Sequence, residues 1–279
     1  MILIGLLLSA VQHARAAAIR ARSANKLRQI VFATHNYASA NNGELPGYDW
    51  YMNEASRDTS PFEAILQFLE GNGSEIPNPY DSEGSGYIPA YVSPADFSFA
   101  RPLNGPGSTP GSYFNIAGDH SYPANWQALR TGATLTASFP DGTATTIAFA
   151  ERYSRCFETS TCWWLTSDGC RSSNSPNSPL GTCTNPAMRR PTFADPDYDD
   201  VQPVTINGVT KPSIPGRTFQ VSPTINSCDY RVPQTPHISG MLTAYFDGSI
   251  KITRPTITPE VRVHALNPLY SSSKLDLDK

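Results

Sequence analysis

His237 and Asp247 stand with nine residues between them in the run HISGMLTAYFDGSIKIT, and Ser249 follows two positions after the aspartate. Histidine, aspartate and serine are the residue types of a nucleophilic triad, in which a carboxylate orients an imidazole and the imidazole takes the hydroxyl proton. The same histidine and aspartate could form half of a metal site. Neither a Gly-x-Ser-x-Gly elbow nor a His-Glu-x-x-His zinc motif accompanies them. A structural reading asks for less. Asp247-Gly248 separates two β-rich runs, 241–246 and 249–253, and Asp-Gly between such runs is the strongest short hairpin signal. A type I′ turn there would place Tyr245 beside Ile250 and Thr243 beside Ile252. On this reading His237 hydrogen-bonds turn backbone at the entrance of the hairpin, Asp247 and Gly248 make the turn, and none of the three is catalytic.

Two further groups could carry chemistry. Asp195, Asp197 and Asp199 alternate in ADPDYDD and can offer carboxylates to one calcium ion. The loop lacks the central glycine and terminal glutamate of an EF-hand, so a solvated acidic loop is the competing reading. The cysteines are Cys156, Cys162, Cys170, Cys183 and Cys228, and none forms a Cys-x-x-Cys pair. Four of them fall within 28 residues rich in Ser, Pro and Asn, which fits disulfides in an oxidising compartment better than reduced, buried thiols. An odd number leaves at least one thiol free or paired elsewhere. Trp163-Trp164 beside Cys162 suits core packing against a disulfide, or, if exposed, a platform for a carbohydrate or a partner.

The elements that position these groups divide the chain in two. Residues 1–42 carry no proline and many strong helix formers, and Gly43 and Pro46 supply a stop, so one helix is expected over about 2–41, roughly 60 Å long. Leu27, Ile30, Val31, Thr34 and Ala38 recur on one face of it. Arg15, Arg22 and Lys26 form another face, suited to lipid headgroups, to acidic neighbours or simply to water. The apolar start MILIGLLLSAV is too short to span a bilayer, and a signal peptide would carry its charges before the apolar region. A membrane helix whose first half lies upstream of Met1 fits best. Residues 43–279 form the head: a short helix from Ser60-Pro61 burying Phe62, Ile65, Leu66 and Leu69, then only strand-like runs (86–92, 112–118, 144–153, 162–167, 217–221) and the final hairpin. Charged residues are only 16%, proline reaches 25 and the net charge is −3, which favours a loop-rich β-containing domain and argues against a nucleic-acid partner. The expected fold class is α+β: a long N-terminal helix packed through its C-terminal half on an antiparallel sheet, with long disulfide-stapled loops.

Four pieces in order carry a resemblance: the helix LIGLLLSAVQHARAAAIRARSANKLRQIVFATHNY, then ELPG, then DGTATTIAFAERY, then HISGMLTAYFDGSIKI. Together they resemble the bacterial type IV pilin-like proteins with a prepilin-type helix and a C-terminal His-(nine residues)-Asp-Gly motif, whose globular domain is of unknown function. The chain departs from that pattern at two places. The prepilin signature is absent, Met1 falling inside the family's hydrophobic segment, and Ser23 stands near a position where the family commonly has cysteine. The resemblance implies a pilin-like fold and a structural subunit of a type IV pilus-like or type II secretion pseudopilus filament. Its partners would be copies of itself, other pilins or pseudopilins, and the inner membrane. Leu3, Leu6, Leu7, Val11, Leu27, Ile30 and Val31 would form the helix assembly face. The head would lie outside the cytoplasm, with no enzymatic activity and no cofactor other than calcium at the acidic loop, a feature known in major pseudopilins. The rival readings are an envelope-anchored glycan- or protein-binding module and a secreted hydrolase using His237 and Asp247.

Overall fold

In a computed structural model the described residues are 2–47, 60–69, 88–99, 120–130, 132–156, 159–161, 188–189, 191–194, 204–206, 209–211, 219–229, 232–258, 261, 265–266 and 268. Helix α1 runs Ile2–Ala40, about 58 Å at 1.5 Å per residue. It stops where Asn42 and Gly43 take left-handed conformations (φ 54 and 86) and the Gly43 N–H donates to the Ala38 carbonyl at 2.7 Å. That six-residue closure satisfies a carbonyl the helix end leaves open. The stripe Leu27, Ile30, Val31, Thr34 and Ala38 is fully buried, and Ser23 extends it by one turn. Helix α2 (Pro61–Ala64) continues into a 3₁₀ turn (Leu66–Phe68), its start fixed by Ser60, whose Oγ accepts from the Phe62 N–H at 3.3 Å. Phe62, Ile65, Leu66 and Leu69 are buried, as their spacing predicts. In the run 86–92 the described residues are not a strand: Pro89–Tyr91 is a 3₁₀ turn closed by Tyr91 N–H on the Ile88 carbonyl. Pro89 at its first position has the φ a helical turn needs and no N–H to give a ladder. Runs 112–118 and 162–167 lie outside the described residues.

The strands are β1 (Ala124–Asn125), β2 (Ile147–Ala150), β3 (Arg155–Cys156), β4 (Thr159–Thr161), β5 (Met188–Arg189), β6 (Thr192–Phe193), β7 (Val204–Ile206), β8 (Val209–Lys211), β9 (Gln220–Val221), β10 (Gln234–Thr235), β11 (Met241–Tyr245) and β12 (Ile250–Thr253). The main sheet has the order β12-β11-β2-β1-β6. It is mixed rather than antiparallel throughout, because β6 joins β1 in parallel. One face packs on α1 through Leu242, Ala244, Ala148 and Phe149. The opposite face, with Ile147, Ala150, Met241, Tyr245 and Phe193 of β6, is covered by Phe219, Ala265 and Leu266. A disulfide joins Cys156 to Cys228 across 72 residues. Cys162, Cys170 and Cys183 lie outside the described residues, as do Trp163, Trp164, Asp195, Asp197 and Asp199.

The terminal hairpin forms, but with another turn and register. Leu242 opposes Ile252 and Ala244 opposes Ile250, one residue out of step with the type I′ expectation. Only Gly248 takes positive φ (86), and Tyr245 both accepts from Gly248 N–H (3.0 Å) and donates to the Ser249 carbonyl (2.9 Å). This is a three-residue loop, a turn followed by a left-handed glycine bulge. Asp247 stabilises it from outside the left-handed region by accepting the Ser249 N–H at 2.8 Å. The extra loop residue, Phe246, is fully buried against Phe139 at 4.5 Å between ring centres. Burying that ring selects the longer loop over the two-residue one.

At the hairpin's other end Gly240 has φ 130, and a Cβ there would stand 2.4 Å from the Thr253 carbonyl oxygen. Gly240→Ala should cost about 2 kcal/mol or more in urea unfolding. Gly5→Ala on the exposed helix, where a Cβ meets nothing within 4 Å, should cost nothing.

Candidate functional site

The buried part of α1 starts with a polar residue, and its environment explains why. Ser23 is fully buried. Its Oγ donates to Glu151 Oε1 at 2.8 Å. A hydroxyl has one proton, so the contact with the Tyr122 hydroxyl at 2.8 Å has Tyr122 donating. Ser93 Oγ lies 3.2 Å away on the same oxygen. Burial pushes the Tyr122 hydroxyl's pKa up, which keeps that donor protonated.

Glu151 follows directly on β2 and is 1% exposed. Oε2 accepts from Thr235 Oγ1 at 3.0 Å and from the Leu242 backbone N–H at 3.1 Å, while His237 Nε2 stands 3.4 Å from Oε1. One carboxylate therefore gathers α1, β2, β10, β11 and the His237 segment. Burying a carboxylate costs several kcal/mol. Hydrogen bonds to a charged group each return about 1.5–3 kcal/mol, and three good donors are enough to offset that cost. His237 is itself ordered by its neighbours: its N–H donates to Thr235 Oγ1 at 3.2 Å and its carbonyl accepts from Gly240 N–H at 3.2 Å.

A second buried carboxylate lies beside this one. Asp96 accepts from the Ser98 N–H (2.9 Å) and hydroxyl (2.5 Å) through one oxygen, and from Ser121 Oγ and Ser154 N–H (both 2.7 Å) through the other. Desolvation raises its pKa although those donors oppose the shift. Lys26, on the basic face of α1, donates to the Pro89 and Val92 carbonyls at 2.5 and 2.8 Å. Its partial burial lowers its pKa. It is a structural anchor between helix and head, whereas Arg15 and Arg22 are exposed. At the far end of the helix His35 Nε2 lies 2.6 Å from the Phe246 carbonyl, close enough only for the ring to donate. The histidine that bonds turn backbone is therefore His35; His237 faces a carboxylate.

The suspected His237–Asp247 pair is not brought together. Strand β11 separates the two, and its five residues span about 17 Å. Asp247 is exposed and occupied by its own turn. Ser23, Glu151 and His237 share a residue set with a triad but not its wiring. The serine donates straight to the carboxylate, the imidazole does not stand between them, and the serine has no exposed surface for a substrate. Among the described residues no three His, Cys, Asp or Glu side chains form a group able to hold a metal. Of the expected assembly face, Leu27, Ile30 and Val31 are fully buried against the head's own sheet, and Leu7 and Val11 are exposed. The side chains of Leu3 and Leu6 lie outside the described set.

The cluster's members span most of the sequence, from Ser23 to Leu242, and a family model matches residues 12–260, which contain all of them. The chain belongs to the family described as Protein of unknown function (DUF1559). No curated protein and no solved structure matches it. Two residues at the heart of this DUF1559 site escaped sequence reasoning. Ser23 continues the 27/30/31/34/38 stripe one turn upstream, and Glu151 is the first charge after the apolar run IAFA. Both signals were present, and both point to a buried polar group only once the two residues are seen to meet.

Two outcomes follow. Glu151→Gln in the DUF1559 chain sets an NH2 group where one carboxylate oxygen accepts, facing donors such as the Leu242 N–H, and should lower unfolding stability by about 2–3 kcal/mol in urea titration. His120 is fully buried, accepts the Tyr122 N–H through Nδ1 at 2.9 Å, and burial holds its pKa well below the usual histidine value. Its folded state stays neutral while the unfolded chain takes up a proton, so stability should fall as pH drops below about 6.5, by up to about 1.4 kcal/mol per pH unit. His120→Gln should flatten that segment of a melting-temperature profile.

Proposed function

We propose that this DUF1559 protein is a pilin-like structural subunit that polymerises through the free half of α1. The observation that carries the reading is the division of one continuous helix into two environments. From Ser23 onward the inward stripe is buried and bolted to the head by Glu151 and Lys26. Before Ser23 the described side chains from Ile4 to Ala18 are exposed, including Ile4 (72%), Leu7 (57%), Leu8 (62%) and Val11 (45%). Leucines at this exposure on a rigid helix need a lipid or protein partner. Copies of the same helix, packed side by side, supply one.

On this proposal the head stands outside the cytoplasm before and after assembly, and the Cys156–Cys228 disulfide supports an oxidising compartment. Among the described residues no helix is long and apolar enough to cross a membrane. On this proposal the apolar first turns of α1 lie in the inner membrane before assembly and against neighbouring subunits after it. The role requires no catalysis and no cofactor; calcium at Asp195, Asp197 and Asp199 would be an accessory of the head. The finer identity, pilus or pseudopilus, rests on the sequence resemblance.

Leu7→Asp combined with Val11→Asp should abolish filaments seen by electron microscopy of the producing cells while leaving the head's melting temperature within about 2 °C, because both side chains are exposed on α1. Leu27→Ala should do the reverse, costing the head about 2–5 kcal/mol. Filaments that persist in the double variant would overturn the assembly role.

A further inference from the structure

The cations of α1 gather at one level of the helix. Residues 1–43 hold four arginines and one lysine, and neither aspartate nor glutamate. Lys26 is tied to two backbone carbonyls, and Arg28 donates to Asn25 Oδ1 at 3.0 Å. Arg15, Arg20 and Arg22 remain, just ahead of Ser23, the first buried residue of the helix among those described. Arg15 and Arg22 are exposed. Arg20 is half-buried, and its Nε is shielded from water with no hydrogen-bond partner among the described residues. At 3.6 residues per turn Arg15 and Arg22 share one side of the helix, and Arg20 stands roughly 150° round from them. The charge therefore encircles the helix instead of striping it.

Ahead of this collar the helix is apolar. Ile2 to Val11 carry no charge and, at 1.5 Å per residue, measure about 15 Å. That is half of a bilayer's hydrocarbon core of about 30 Å. Arg15 stands about 6 Å beyond Val11, at the depth of the headgroups, and Arg22 follows about 10 Å further on, near one Debye length away. A helix lying in the plane of a membrane needs one apolar face and one charged face. Apolar residues over ten positions, followed by cations on opposite sides, instead suit a helix that enters one leaflet end-on. We propose that Arg15, Arg20 and Arg22 form a collar that binds the phosphates of anionic phospholipids where α1 enters the membrane. The inference rests on the membrane-anchored stage of the pilin-like reading and adds the chemistry of the partner. Charge favours lipid over a second helix. A parallel copy at the same depth sets arginine against arginine, with no carboxylate on either helix to intervene. Phosphate oxygens accept from a guanidinium fork in pairs.

Co-sedimentation of the full chain with vesicles of phosphatidylcholine, alone or with about 30% phosphatidylglycerol, tests the collar. In about 50 mM NaCl the phosphatidylglycerol vesicles should bind at least about tenfold more tightly, and about 0.5 M NaCl should remove the difference. Arg15→Gln with Arg22→Gln should cut the preference to about threefold or less, with binding to phosphatidylcholine unchanged. Lys251→Gln with Arg254→Gln removes the same charge from the head and should leave the preference intact. Equal binding of the native chain to both vesicles would overturn the proposal. So would a head variant that loses as much preference as the helix variant. Filaments formed by a chain that does not discriminate between the vesicles would sink the collar alone. A phosphatidylglycerol preference in a chain that forms no filaments would uphold the collar and sink the assembly role alone.

Discussion

A single buried carboxylate decides how the two parts of this molecule meet. Glu151 leaves the end of β2 into a space where water does not reach, and an ionised group there is tolerable only if donors surround it. Those donors come from elements far apart in the chain: Ser23 from the helix, Thr235 from β10, the Leu242 amide from β11. Removing any element would strand the charge, so the charge enforces their joint presence. Apolar packing alone would tolerate a helix displaced along its axis by one turn, since leucines and isoleucines exchange contacts at modest cost. A hydroxyl that must reach a carboxylate oxygen does not tolerate that shift. The hydrophobic stripe of α1 provides most of the adhesion, and Ser23 fixes its position along the axis.

The terminal hairpin is held by the same logic at both ends. His237 stands against Glu151 at its entrance, and His35 donates to the Phe246 carbonyl in its loop. Between those pins the buried Phe246 ring and the single left-handed glycine set the loop length, and with it the register of β12. The hairpin motif is thus an internal fastening of helix to sheet. Its histidine and aspartate sit at opposite ends of a strand because they serve different ends of that fastening.

This arrangement leaves the helix with two unlike halves joined without a break. The half inside the head is rigidly placed by Ser23 and by Lys26 on two carbonyls. The half outside inherits that direction, since an uninterrupted helix without proline has no hinge. A stalk aimed by its own head, with leucines uncovered along it, suits addition of subunits in one fixed orientation, which is what the proposed filament role demands.

Sequence reasoning by itself determined the elements whose signals are local. The helix and its stop came from propensity and the Gly43 region, its buried stripe from period, the Ser60-Pro61 start from capping chemistry, and the hairpin's existence from Asp-Gly between β-rich runs. Each depends on neighbours within a turn or two. Tertiary structure alone decided what depends on distant partners. The hairpin register turned on whether Phe246 had a cavity to fill, and the parallel edge strand on where 192–193 returned. Above all, the roles of Ser23 and Glu151 were invisible one at a time. A serine in a helix and a glutamate after a strand are ordinary at the surface, and only folding brings them 2.8 Å apart, 128 residues distant in the chain, where desolvation makes each indispensable to the other.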